Sequence, residues 1–187
     1  KTLILSGANG AIGREIARQF HSAGANVALG DFAIDGLRDF AAELDSSGAT
    51  VLAFPLDAAS SQSNDDFVAA AVSQFGSLDF VVPAAGIYPE QGIAEMTNEQ
   101  WSRVISINLD GVFNCTKVFI DQMLKQSFGR VVNITSVIGQ IGNFGQANYT
   151  AAKAGSTSPT RSAAWAMANA ARAAASTAQP SCAQTSA

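Results

Sequence analysis

Short apolar runs alternate with segments of helical periodicity between residues 2 and 134 of this 187-residue chain. The pattern predicts strands at 2–6, 26–29, 50–54, 78–82 and 130–134, and helices at 12–23, 37–44, 67–75 and 97–126. Strands that are apolar throughout and are separated by amphipathic helices are typical of a parallel sheet covered on both sides. The alternation therefore predicts a single α/β domain over residues 1–187, with a doubly wound parallel sheet and helices on both faces.

The composition excludes several classes of protein. A net charge of -4 provides no basic surface for nucleic acid or for an anionic membrane. No apolar run is long enough to span a bilayer and no signal peptide precedes the first strand, so we expect a cytoplasmic protein. Cys115 and Cys182 provide no disulfide framework, and the single His21 gives no multi-histidine site, so no metal is expected. Cys115 is expected in the core, and His21 away from the strand ends.

A glycine-rich turn follows the first predicted strand, with the sequence Ser-Gly-Ala-Asn-Gly-Ala-Ile-Gly at residues 6–13. Its glycines permit a tight turn and a close approach of the backbone to a pyrophosphate, whose charge would lie at the N-terminus of the next helix. Such a turn also occurs as an ordinary strand-to-helix connection. The candidate cofactor-binding residues in it are Ser6, Gly7, Asn9, Gly10, Ile12 and Gly13.

Asp31 follows the second predicted strand, 18 residues beyond Gly13. A carboxylate at this position can accept hydrogen bonds from the ribose hydroxyls of a dinucleotide, and it would repel a 2′-phosphate. The sequence therefore favours NAD over NADP, although Asp31 could also be a loop acid or a helix cap. Further candidate cofactor contacts at the ends of strands are Phe32, Asp57, Ala84, Ala85 and Gly86.

A second set of polar residues, Ser136, Tyr149 and Lys153, follows the fifth predicted strand. Tyr149 and Lys153 are four residues apart and would share one face of a helix. A phenol acts as an acid or base near neutral pH when a neighbouring cation stabilises its phenolate, and Lys153 can supply that charge. Ser136 could then hydrogen-bond the substrate oxygen while Tyr149 exchanges its proton. The alternative is a surface tyrosine beside a solvated lysine.

Together these segments resemble the short-chain dehydrogenase/reductase family over residues 2–155. The matching pieces are residues 6–13, 56–57, 107–108, 134–136 and 149–155. The resemblance implies a Rossmann fold and a homo-oligomer, either a dimer or a tetramer. It also implies that Tyr149 is the general acid/base and that Lys153 stabilises the phenolate and holds the nicotinamide ribose. Ser136 would polarise the carbonyl, and Asn108 would position a water molecule in the proton relay.

The sequence departs from the family pattern at two places near the cofactor. Ala11 replaces a usual glycine, so Gly7, Gly10 and Gly13 also fit the spacing of the extended branch, which includes nucleotide-sugar epimerases. The 13-residue separation of Ser136 and Tyr149, together with Asn108, favours the single-domain branch. Pro83 and Ala84 replace two asparagines after the fourth strand, which would make the site less rigid.

The third departure is the C-terminal segment. Residues 156–187 contain no acidic residue and no Leu, Ile, Val or Phe, and 22 of their 32 positions are Ala, Ser or Thr. Such a segment cannot supply a core strand. The family continues at this point into a sixth strand, a substrate-covering segment and a seventh strand. We therefore expect the C-terminal part of the fold to be incomplete in this chain and leave residues 156–187 unassigned.

The sequence predicts an NAD(H)-dependent oxidoreductase that interconverts a secondary alcohol and a ketone. Within the family it resembles 3-oxoacyl-(acyl carrier protein) reductases and small alcohol or sugar dehydrogenases. The expected partner is a small-molecule alcohol or ketone. One alternative is a non-catalytic NAD-binding sensor or assembly protein, suggested by Pro83, Ala84 and the C-terminal segment. Another is an extended-branch nucleotide-sugar epimerase, which normally needs a longer C-terminal half.

Overall fold

The computed structural model describes residues 1–156, and residues 157–187 lie outside the described part. Five strands form one parallel sheet in the order β3-β2-β1-β4-β5. The order changes direction between β1 and β4, and ligands of such sheets bind beyond the carboxyl ends of the strands at this point. The strands are β1 (Thr2–Ser6), β2 (Asn26–Asp31), β3 (Val51–Pro55), β4 (Phe80–Pro83) and β5 (Arg130–Val131).

Helices connect these strands and cover both faces of the sheet. A five-residue π-helical segment, Ser106–Asp110, joins the fourth and fifth helices into one continuous helical rod. The predicted doubly wound α/β fold is therefore confirmed for the described residues. The helices are α1 (Ala11–Ser22), α2 (Ile34–Leu44), α3 (Ser61–Phe75), α4 (Asn98–Ile105), α5 (Gly111–Gln126), α6 (Ile138–Ile141) and α7 (Ala147–Gly155).

Alternate residues of the central strand supply two separate cores. Leu3 and Leu5 of β1 belong to the core under α1 and α2, together with Phe40. Ile4 points to the opposite face, into the core under α3 and α5, together with Phe67. Each large apolar side chain buried in this way contributes about 1.5–3 kcal/mol relative to exposure. The central strand is therefore fixed from both sides, which places its carboxyl end firmly beneath the glycine-rich turn.

Several element boundaries differ from the sequence prediction by two or more residues, namely those of α2, α3, β2, β4 and β5. α3 begins at Ser61, six residues before the predicted start, because the Ser60 hydroxyl accepts a hydrogen bond from the Ser63 N–H at 3.2 Å and caps a polar first turn. The prediction of a strand over 130–134 was wrong beyond Val131. Within residues 1–156, β5 pairs only with β4. One further backbone hydrogen bond to β4 follows the paired residues, from the Val132 N–H to the Val81 carbonyl at 2.9 Å.

The long helix predicted over 97–126 is present, and it begins as its sequence suggests. Thr97 and Gln100 form a reciprocal capping box at the start of α4. Its interior differs from the prediction, because the π-helical segment interrupts the α-helical pattern around Asn108. None of the helices in residues 1–156 combines the length and hydropathy that a membrane crossing requires.

Candidate active site

The glycine-rich turn brings the ends of β1 and β4 into contact. Gly7 has a φ of +68°, a conformation that favours glycine. A Cβ atom on Gly7 would lie 2.6–2.7 Å from the backbone of Ala84 and Ala85. The Ala84 N–H donates to the Ser6 carbonyl at 3.2 Å, and the Ala85 N–H donates to the Ser6 hydroxyl at 3.3 Å. The two loops thus remain linked through the backbone despite Pro83 and Ala84.

The other two glycines of the turn have different environments. A Cβ atom on Gly13 would overlap the Gly7 carbonyl and lie 2.8 Å from Ala8 Cα, so Gly13 lets α1 pack against the turn. A Cβ on Gly10 would meet only the Gly7 carbonyl, at 3.5 Å. Gly10 is also the N-cap residue of α1, which has no side-chain cap. The N–H groups of the first turn of α1 are therefore available to an anion.

Asp31, the last residue of β2, is held by hydrogen bonds from two backbone N–H groups. Its Oδ2 accepts from the Asn9 N–H at 2.9 Å, and its Oδ1 accepts from the Ala33 N–H at 3.0 Å. Asn9 is itself fixed by Arg14, which donates to the Asn9 side-chain oxygen at 2.6 Å. The carboxylate is therefore anchored to the glycine-rich turn, and each of its oxygens retains a lone pair for a ligand hydroxyl.

A cleft of about 550 Å³ lies beyond the carboxyl ends of β1, β2, β3 and β4, and we call it the main cleft. Eight predicted cofactor-binding residues line it: Gly7, Gly10, Asp31, Phe32, Asp57, Ala84, Ala85 and Gly86. The sequence reasoning missed seven further lining residues: Leu56, Ala58, Ala59, Ile87, Arg103, Ser106 and Ile107. Three of the missed residues belong to α4 and the π-helical segment, which the sequence predicted only as part of the long helix over 97–126.

Four predicted cofactor-binding residues of the turn do not line the main cleft. Ser6 is buried and bonds the β4 loop. Gly13 packs against the turn, Asn9 bonds Arg14 and the Ala33 carbonyl, and the Ile12 side chain is exposed. The structure thus gives Ser6, Asn9 and Gly13 a supporting position behind the residues that face the cleft.

Tyr149 and Lys153 lie on one face of α7, as their spacing predicts. The Lys153 ammonium is 5.7 Å from the centroid of the Tyr149 ring. It donates to the Ile134 carbonyl at 2.8 Å, and only 5% of the residue is exposed. Burial lowers the pKa of Lys153 below its ordinary value. Tyr149 also contacts Tyr88 edge-on, with the ring centroids 6.2 Å apart.

Ser136 lies in the loop between β5 and α6, and α6 packs against α7. The Ser136 hydroxyl accepts from the Ile138 N–H at 3.3 Å, and its carbonyl accepts from the Gly139 N–H at 3.0 Å. A Cβ on Gly139 would lie 2.8 Å from the backbone nitrogen of Ala154. Gly139 was not predicted, although it permits the close packing that brings the Ser136 loop to the helix of Tyr149 and Lys153.

Asn108 is fully buried in the π-helical segment and binds the loop after β4. Its Oδ1 accepts from the Ile87 N–H at 2.8 Å, and its Nδ2 donates to the Ile87 carbonyl at 2.7 Å. Both ends of the side-chain amide are therefore used to hold residue 87, which lines the main cleft. The water-positioning role that the family resemblance implies for Asn108 stays a prediction.

Two other reactive side chains lie away from this region. His21 Nε2 is 3.0 Å from the Thr50 hydroxyl. Cys115 is buried in the core under α3 and α5, where burial raises the pKa of its thiol to about 12. A thiol with that pKa is protonated at neutral pH and is a poor nucleophile.

A family model described as short chain dehydrogenase matches residues 1–187. The chain belongs to the short-chain dehydrogenase family. Among its relatives, a 3-oxoacyl-(acyl-carrier-protein) reductase of Staphylococcus epidermidis is 39% identical over 168 residues, which are 88% of this chain and 68% of the relative. The corresponding reductase of Thermotoga maritima is 35% identical over 155 residues, covering 83% of this chain and 63% of the relative.

Solved structures of short-chain dehydrogenases have the same fold. A Brucella melitensis protein described as a short-chain dehydrogenase/reductase, glucose/ribitol dehydrogenase, has a TM-score of 0.83 and 40% identity, covering 90% of this chain and 70% of that chain. An NAD⁺-bound xylitol dehydrogenase has a TM-score of 0.86 and 28% identity, and the match covers 91% of this chain and 66% of the dehydrogenase chain. The predicted family and fold are therefore confirmed, and the chain is an oxidoreductase that acts on CH–OH groups.

Proposed function

We propose that this short-chain dehydrogenase interconverts a secondary alcohol and a ketone, with NAD(H) as its cofactor and a small molecule as its substrate. The observation that carries the proposal is the pair of Lys153 and Tyr149 on α7. A buried ammonium 5.7 Å from the Tyr149 ring centroid, on the same face of α7, supplies the neighbouring cation that would stabilise a phenolate.

The residues of the main cleft fit a dinucleotide. Gly10 leaves room at the N-terminus of α1, where free N–H groups suit a pyrophosphate. Asp31 offers two backbone-anchored oxygens to ribose hydroxyls, and its charge disfavours a 2′-phosphate, which supports NAD over NADP. When bound, this cofactor supplies the carbon that accepts or returns the hydride. Asp57, Phe32, Ala84, Ala85 and Gly86 would form the remaining walls.

In alcohol oxidation, Tyr149 would take the proton of the substrate hydroxyl, while the carbon that carries this hydroxyl would give its hydride to the cofactor. Lys153 would stabilise the phenolate and bind the nicotinamide ribose, and its buried Nζ is already oriented by the Ile134 carbonyl. Ser136 would hydrogen-bond the substrate oxygen, because α6, which directly follows its loop, packs against α7 through Gly139. In the reverse direction Tyr149 would return the proton to the carbonyl oxygen.

We also propose a homo-oligomer, a dimer or tetramer, in a cytoplasmic setting. Trp101 and Phe113, on α4 and α5, have 40% and 54% of their surface exposed in the single chain. Large apolar side chains exposed on neighbouring helices support a subunit contact in this region.

The proposed reaction is tested with a panel of secondary alcohols. Purified protein is mixed with NAD⁺ or NADP⁺, and formation of the reduced cofactor is followed by its absorbance. We expect turnover of at least one alcohol, with a higher kcat/KM for NAD⁺ than for NADP⁺. Binding of NADH without turnover of any alcohol or ketone would contradict the proposal and favour a non-catalytic NAD-binding protein.

A further inference from the structure

A second cavity, of about 570 Å³, adjoins the main cleft, and we call it the side cavity. It is lined by Gly86, Ile87, Tyr88, Pro89, Gln100 and Arg103. Gly86, Ile87 and Arg103 line the main cleft as well, so the two cavities meet at these three residues. No residue of the glycine-rich turn lines the side cavity. A ligand group bound there is therefore separate from the expected pyrophosphate position.

Arg103 is the only charged side chain that lines the side cavity. Within residues 1–156 its guanidinium makes no ion pair within 4.0 Å. Glu99, one helical turn earlier, instead accepts hydrogen bonds from its own backbone N–H and from the Thr97 side chain. Glu90, which follows Pro89 in the loop after β4, accepts from Gln146 Nε2 at 3.0 Å. The five N–H donors of Arg103 are thus available at the rim, in a geometry that matches a carboxylate or a phosphate.

The walls of the side cavity are held by hydrogen bonds, and one wall residue contacts the proposed acid/base. Ile87 is held at both backbone groups by Asn108. Gln100 is held in the capping box of α4, and its carbonyl accepts from Asn148 Nδ2 at 3.3 Å. Tyr88 lies in the wall and contacts the Tyr149 ring. Tyr149 itself lines neither cavity, and its contact with Tyr88 places the side cavity next to the proposed acid/base.

We infer that the side cavity is a substrate subsite in which Arg103 binds a carboxylate or a phosphate group. The substrate class is then an anionic hydroxy or oxo compound. The inference rests on the proposed function in one respect: the carboxylate or phosphate is taken to be part of the alcohol or ketone substrate. Arg103 is a binding residue for this group, and its loss weakens binding of anionic ligands while neutral ligands bind as before.

The test is calorimetric binding, with and without saturating NADH, so that it does not depend on turnover. The probes are two pairs that differ in one anionic group: β-hydroxybutyrate with its methyl ester, and glycerol phosphate with glycerol. Arg103→Gln removes the charge, Arg103→Lys keeps it without the planar fork, and Lys117→Gln removes an exposed charge on α5 that lines neither cavity.

Wild-type protein is expected to bind at least one anion more tightly than its neutral counterpart, and the tighter anion identifies the group as carboxylate or phosphate. Arg103→Gln should weaken the binding of that anion about 10- to 100-fold. The affinity of Arg103→Lys should be intermediate, and that of Lys117→Gln should be close to wild type. Equal binding of charged and neutral probes would overturn the inference. So would weaker NADH binding as the only effect of Arg103→Gln, which would assign Arg103 to the cofactor. Anion binding without any turnover would contradict the proposed reaction and leave the subsite intact.

Discussion

Asp31 both supports the structure of the candidate cofactor site and lines it. Its two oxygens accept hydrogen bonds from Asn9 and Ala33, so the carboxylate joins the glycine-rich turn to the start of α2. Asp31 also lines the main cleft. Its position 18 residues after Gly13 predicted the ligand role, whereas the bond to Asn9 depends on how the chain folds back and could not be predicted.

Replacing Asp31 tests the cofactor preference. Asp31→Ala removes the acceptor for ribose hydroxyls and the charge that repels a 2′-phosphate, so we expect the NAD⁺ to NADP⁺ ratio of kcat/KM to fall about 10- to 100-fold. Steady-state kinetics with both cofactors measure the ratio. Asp35→Ala is the matched control, because it removes an exposed carboxylate from α2 that does not line the cleft. An equal shift in both variants would mean that long-range charge, and not ribose contact, sets the preference.

At the scale of elements, the π-helical segment connects the long helix to the loop after β4. The sequence predicted continuous helix over 97–126 but not this irregularity, because hydropathy periodicity does not report a local change in backbone hydrogen bonding. The consequence is that Asn108 is buried with both amide groups on Ile87, 21 residues earlier in the chain. The loop that shapes both cavities is therefore held by a helix.

Asn108→Ala should loosen that loop. The variant leaves the Ile87 N–H and carbonyl without their partner, which we expect to lower the free energy of unfolding by about 1–3 kcal/mol. Urea denaturation compares it with Asn114→Ala, which loses one partly buried bond, to the Ala59 carbonyl, and should cost less. If the two variants were equally stable, the pair of hydrogen bonds from Asn108 to Ile87 would not be an important restraint on the loop.

At the scale of the whole molecule, the two ends of the sheet differ in the residues they carry. The carboxyl ends carry the candidate active site, and the opposite end is held by Asp79, which is 2% exposed. Burial acts to raise the pKa of Asp79, but hydrogen bonds from Lys1, the Thr2 N–H and Ser77 outweigh it and lower the pKa below its ordinary value. The charged form is therefore favoured in the folded state.

This shift predicts how stability responds to acid. Because the folded pKa is depressed, the contribution of Asp79 is complete above its unfolded pKa of about 3.9 and is lost as the pH falls through the lower folded value. Wild type should exceed Asp79→Asn in free energy of unfolding near pH 6, and the difference should shrink below about pH 4. Urea denaturation at several pH values measures it, with the exposed Asp65→Asn as control. A difference that is independent of pH would contradict the argument.

Much of the fold could be predicted from the sequence because its strands are largely apolar and its helices are periodic. The limits are physical as well. Ser60 caps α3, but the first turn of this helix is polar and gives no hydropathy signal for a helix start. The strand β5 is short because β4 is its only neighbour within residues 1–156. At the site, the spacing of Tyr149 and Lys153 was enough to predict that they share one face of a helix. Arg103 was missed because its role depends on which residues of a long helix face a cleft.

The central claim is that Tyr149 transfers the proton in an NAD-linked reaction. Tyr149→Phe keeps the ring that contacts Tyr88 and lies beside Lys153, and removes only the hydroxyl. The decisive measurement is kcat for the best alcohol of the panel, together with the dissociation constant of NADH. We predict that kcat falls by at least about 100-fold while the dissociation constant changes less than about twofold. Undiminished turnover in Tyr149→Phe would contradict the account.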